Sequence, residues 1–164
     1  MSMEKDLIKN AYYIISYFHQ KGKIITQLKL QKLLYFLEAI YLIQNLDESS
    51  LFKEDFYAWE FGPVSKVIYQ KFKDYRNTTI SLNEEGDEIA SNMNEENKVY
   101  IEALYRLLGD MTASQLVTLS HLPNSPWFKL KEKFHGNIPK DTIISKVETR
   151  DWLAEMIGID LNGE

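Results

Sequence analysis

The chain has 164 residues and a mass of 19.3 kDa, with 45% hydrophobic residues, 26% charged residues and no cysteine. This composition argues against wholesale disorder and excludes a disulfide framework, thiolate zinc sites and cysteine nucleophiles; the length predicts one domain over 1–164. The net charge of −5 is carried by Asn83–Lys98, where six acids face one lysine, while Met1–Leu46 holds six lysines against three acids. An acidic chain gains no general electrostatic attraction to a phosphate backbone.

Leu7, Ile8, Ala11, Ile14, Ile15 and Phe18 recur at helical spacing and predict a helix over about 4–20, stopped at Gly22. Thr26 is placed to cap a second helix running to about Gln44. Leu30, Leu33, Leu34, Leu37 and Tyr41 form its main stripe, and Leu28, Tyr35 and Leu42 fall on the other side, so this helix is expected to be central. Its uninterrupted apolar run, Leu33–Leu37, ends at Glu38, far short of the about 20 apolar residues of a membrane span. The N-terminus lacks a basic start and apolar stretch, so a cytoplasmic, non-membrane protein is expected.

Phe56–Phe61 is aromatic-rich and predicts a strand, broken by Gly62-Pro63, with Pro63 expected in the first turn of a helix bearing Val64, Val67, Ile68, Phe72 and Tyr75. Asn77–Leu82, with Thr78, Thr79 and Ile80, is the expected antiparallel partner of that strand. Residues 83–97 read as a mobile loop grading into a helix that ends at Gly109. Thr112-Ala-Ser-Gln115 has the form of a capping box, and Ser125-Pro126 that of a cap followed by a first-turn proline. One or two closing helices follow Gly136, so the predicted fold is a mainly α, single multi-helix domain with a small two-stranded antiparallel element.

No phosphate-binding glycine loop, nucleophile elbow or zinc motif occurs, and His19, His121 and His135 match no metal spacing; neither a metal nor a cofactor is expected. His121 closes a predicted helix shortly before Trp127, either as a contact or proton-transfer group beside that aromatic or as a locally bonded helix-end histidine. Trp59-Glu60-Phe61-Gly62-Pro63 reads as a partner-binding corner or as core beneath a turn. Gln31 is a polar group on a largely apolar helix. Lys21, Lys23, Lys29 and Lys32 make a basic end resembling a helix-turn-helix, but no arginine accompanies them.

Three segments resemble one family together. They are Ile25-Thr-Gln-Leu-Lys-Leu-Gln-Lys-Leu-Leu-Tyr-Phe36, then Phe56-Tyr-Ala-Trp-Glu-Phe-Gly-Pro-Val64, then Leu116-Val-Thr-Leu-Ser-His121 with Pro126-Trp127. In order and spacing they are similar to the Panacea domain, a SocA-like antitoxin domain often found on phage and mobile elements. The resemblance implies a non-enzymatic antitoxin that binds a toxin encoded beside it. A proteolytic adaptor that hands the toxin to a protease and a helix-turn-helix-like DNA-binding regulator are the alternatives. Tyr35, Trp59 and Trp127 are the expected anchors, with Gln31, Lys32 and His121 as polar contacts and Gly62-Pro63 shaping the corner.

Overall fold

Apolar residues on both sides of the second helix dictate its place. In the computed structural model, which describes residues 3–47 and 49–162, α2 (Gln27–Gln44) is buried at every position except Leu28 and Gln44. Thr26 caps it as expected, its hydroxyl accepting from the Lys29 N–H. Around it pack α1 (Leu7–Gln20), α3 (Lys66–Phe72), α5 (Glu95–Leu108), α6 (Ala113–Ser120) and α8 (Lys146–Ile157). α4 (Glu84–Ser91) lies against α1, and α7 (Pro126–Lys133) against α8. The capping box at Thr112 and Gln115 and the Ser125-Pro126 start of α7 form as the sequence predicts.

Burying a whole helix also buries its charges. Glu38, which interrupts the apolar run, accepts from the Leu51 and Phe52 N–H groups at 2.6 and 3.0 Å and pairs with Lys146 of α8 at 3.0 Å. Lys29 donates to the Gly109 carbonyl at the end of α5. These ties satisfy groups that would otherwise be unpaired in the core.

The strands differ from expectation. β1 (Phe56–Trp59) pairs antiparallel with β2 (Gly62–Val64) and with β3 (Ile143–Ile144), in the order β2-β1-β3. The expected partner, 77–82, instead fastens to the α1–α2 connection, where Thr79 bridges Thr26 and the Ile80 N–H donates to the Ile25 carbonyl. The cause is local: Trp59 pairs with Gly62, leaving a two-residue turn, and Gly62 takes φ +103°, a conformation glycine adopts without strain. Pro63 therefore sits in an edge strand, where its missing N–H is tolerated, and not in a helix. Helix α3 begins just after it, capped by Ser65.

The acidic segment is also more ordered than expected. Asn83 caps α4, Glu84, Glu85 and Asp87 occupy its first turn, and Gly86 and Ala90 are buried. Carboxylates at a helix N-terminus are favoured by its dipole. Among the described residues no helix is long and apolar enough to cross a membrane.

Candidate functional site

The hairpin β1–β2 places its turn over the α2 surface and the end of α6. Gln31, on α2, holds both backbone groups of one residue: its Nε2 donates to the Ser65 carbonyl at 3.0 Å and its Oε1 accepts from the Ser65 N–H at 2.8 Å. One residue on, Lys32 is fully buried and its Nζ donates to the Pro63 carbonyl at 3.0 Å. No carboxylate among the described residues pairs with it, and burial pulls its pKa down to about 7. Two adjacent side chains of one helix thus fix the exit of the hairpin and the entry to α3.

Gly62 lies directly above this anchor. A Cβ at that position would meet Ser120 Oγ at 2.7 Å, Lys32 Cε at 3.1 Å and His121 Nε2 at 3.3 Å. His121 ends α6, its backbone N–H donating to the Val117 and Thr118 carbonyls. Its ring stacks flat on Trp127, with centroids 3.5 Å apart and planes 8° from parallel. The buried His121 Nε2 has no hydrogen-bond partner among the described residues. Burial, then repulsion from Lys32 and Lys131, lowers the imidazole pKa to about 4, so the ring is neutral at physiological pH.

The indoles continue the chain of contacts. Trp127 Nε1 donates to the Trp59 carbonyl at 2.7 Å, and Trp59 Nε1 donates to the Lys140 carbonyl at 3.0 Å. Trp59 is half-buried and meets Tyr69 edge-on at 5.3 Å. Phe61, left by the sequence between partner-binding corner and core, projects from the turn with 58% of its surface exposed.

Of the residues singled out in the sequence, Gln31, Lys32, Trp59, Gly62, Pro63, His121 and Trp127 converge here. Tyr35 lies apart: its hydroxyl bonds Thr149 of α8 at 2.7 Å, its ring meets Phe56 edge-on, and burial keeps the phenol protonated. Gln31, Lys32 and Tyr35 are buried and do not reach the surface; Gln31 and Lys32 hold the corner from beneath.

Serine, lysine and histidine converging on one point suggest acyl-transfer chemistry. The details oppose it. The Ser120 hydroxyl donates to the Val117 carbonyl at 2.8 Å, Ser120 and Lys32 are buried, and the space above them is filled by Gly62. The arrangement secures a turn. No group of histidine and acidic residues among the described residues could hold a metal ion.

Sequence reasoning did not single out Ser65, Lys131 or Lys140. Ser65 carries a legible signal, a serine just ahead of the Val67–Ile68–Phe72 helical stripe. The two lysines carry none, because chain folding alone brings them to a cleft of about 470 Å³ beside Trp59 and Trp127.

A family model described as "Antitoxin SocA-like, Panacea domain" matches residues 30–128. The chain is also 33% identical, over 111 residues, to a protein named Antitoxin SocA from Caulobacter vibrioides (strain NA1000 / CB15N). That alignment covers 63% of this chain and 58% of the relative, so the chain spans under three fifths of the relative's length. No solved structure matches.

Proposed function

Since the chain belongs to the antitoxin SocA-like Panacea family, we propose that it neutralises a cognate toxin by direct protein–protein binding and catalyses no reaction itself. One observation carries this reading: the matched stretch, 30–128, contains every residue that converges at the corner, from Gln31 to Trp127. Three backbone-directed hydrogen bonds from Gln31 and Lys32 hold that corner from below, and Phe61 stands out from its turn. An exposed aromatic on an ordered turn suits binding, since the ring offers apolar area and the hairpin backbone needs no further ordering when it docks. Trp59 and Phe61 are the surface contacts in this reading, and His121 and Trp127 support them.

A DNA-reading role for the helices near residues 4–44 has little support. α2 is buried on all sides, Lys29 and Lys32 are within the core, and Lys23 pairs with Asp110 at 2.7 Å.

The test is co-expression with the product of the adjacent reading frame. Rescue of growth and co-purification are expected, with both lost in Trp59→Ala/Phe61→Ala. Failure of the wild-type chain to rescue and to co-purify would sink the reading. The half-life of the bound product separates occlusion, where it is unchanged, from delivery to a protease, where it shortens.

A further inference from the structure

The cleft beside the corner has an unusual charge pattern. Its walls include Trp59 and Trp127, and its lysines are Lys131 and Lys140. Lys131 Nζ sits 5.3 Å from the Trp127 ring centroid, and Lys140 Nζ 5.3 Å from that of Trp59. Neither ammonium forms an ion pair among the described residues; Asp141, which attracts Lys140 at longer range, is paired with Lys66, and Lys146 pairs with Glu38. The one acid lining the cleft, Glu60, is exposed on the hairpin turn and forms no ion pair with any described residue. The cleft is therefore a locally positive, aromatic-walled recess in a chain whose net charge is −5.

We propose that this recess receives an aspartate or glutamate side chain of the protein partner, its carboxylate between Lys131 and Lys140 and its apolar stem against the two indoles. The proposal rests on the antitoxin reading and adds the chemistry by which the partner is recognised. Charge complementarity selects the occupant. Two amines held over aromatic faces, with no described acid paired to either, offer charge-assisted hydrogen bonds to a single carboxylate. A nucleic acid fits less well, because a polyanion gains affinity from an extended run of basic residues and the lining here supplies two lysines in a chain of net charge −5. Asn137, at the same rim, adds an amide able to donate to the second oxygen.

The experiment uses the full chain co-expressed with the product of the adjacent reading frame. Lys131→Glu/Lys140→Glu alters one half-buried and one exposed side chain, and a cooperative melt within a few degrees of wild type checks that the fold is kept; Lys131→Gln/Lys140→Gln serves as a milder second variant. The expected result is at least tenfold weaker binding in the Glu variant, a smaller loss in the Gln variant, and wild-type binding that weakens with salt. Replacing one acid of the partner by lysine should restore binding to the Glu variant. If the wild type binds and both variants bind equally well, the proposal fails while the antitoxin reading stands. If the wild type does not bind, both fall. Retention of a 30-nucleotide RNA by the wild type, abolished in the Glu variant, also overturns the proposal.

Discussion

The imidazole of His121 lies on the indole of Trp127, 3.5 Å between centroids, while its buried Nε2 meets no hydrogen-bond partner among the described residues. Burial favours the neutral ring, and Lys32 and Lys131 oppose a positive one. In the unfolded chain histidine titrates near about 6.5. In the folded chain its pKa is about 4. Between these values the unfolded chain binds a proton that the folded chain does not, so stability is full above about pH 6.5 and declines as pH falls toward 4. His121→Phe keeps a flat ring on Trp127 but cannot protonate. Urea midpoints of the variant should lose this part of the acid sensitivity, on the order of 1–2 kcal/mol after allowance for partial solvent exposure. Parallel pH profiles for the two proteins would contradict the assignment.

Lys32 gives the opposite end of the pH range. Burial lowers its pKa to about 7, against about 10.4 in an unfolded chain. Over that window the unfolded chain again holds the extra proton, so stability rises as pH goes from about 7 toward 10 and is lowest below 7. Lys32→Met removes the charge and also the bond to the Pro63 carbonyl. The lost bond costs the same at every pH, so the difference between pH 6 and pH 10 isolates the charge. We expect the variant to gain on the wild type by a few kcal/mol more at pH 6 than at pH 10, since each tenfold loss of proton affinity on folding is worth about 1.4 kcal/mol. Thermal melts at the two pH values measure it.

Gly62 and Gly22 form a natural comparison, since both have positive φ, +103° and +77°. A Cβ at Gly22 meets nothing within 4 Å, whereas one at Gly62 meets Ser120 Oγ at 2.7 Å. Gly22→Ala should therefore show backbone strain alone, about 1 kcal/mol. Gly62→Ala adds overpacking against a buried cluster and should cost about 2–4 kcal/mol. Only the second should also weaken partner binding, because only it displaces the hairpin. Equal losses in chemical denaturation would remove the clash from the account.

Features encoded within a few residues were legible. Thr26, Thr112 with Gln115, and Ser125-Pro126 set helix starts through side-chain and backbone chemistry within one turn. The aromatic strand at Phe56–Trp59 was equally local, and its neighbours were not. β2 is three residues made into a strand by the conformation of Gly62, and β3 is two residues brought in from far along the chain, just ahead of α8. The inner face of α4 is built from Gly86 and Ala90, too small to mark a hydrophobic stripe among acids. At the site, Gly62, His121 and Trp127 could be singled out by type, but the burial of Lys32 could not. A lysine between a glutamine and a leucine normally reads as surface, and its place follows from helices packing on both sides of α2.

Gln31 tests the link between this buried frame and binding. Its amide satisfies both backbone groups of Ser65, the residue whose hydroxyl caps α3 by accepting from the Ile68 N–H. Gln31→Leu leaves the buried Ser65 N–H unpaired and removes one of the two donors to the Ser65 carbonyl, which keeps the Tyr69 N–H, and should cost about 1–3 kcal/mol. Gln31→Glu is more discriminating. One carboxyl oxygen still accepts from the Ser65 N–H, but the other must carry a proton to donate to the Ser65 carbonyl. Burial and that hydrogen bond both favour the protonated acid in the folded chain, so its folded pKa lies above the unfolded value of about 4.3. Above that unfolded value the folded state binds the extra proton, so the Gln31→Glu protein should lose stability as pH rises, against a flat wild-type contribution at this position. Partner binding should fall in step, because the hairpin that carries Phe61 and the start of α3 share this one clamp. Denaturant midpoints and pull-down yields at pH 5 and pH 8 measure both, and a Gln31→Glu protein indifferent to pH would show that Ser65 is held by something other than Gln31.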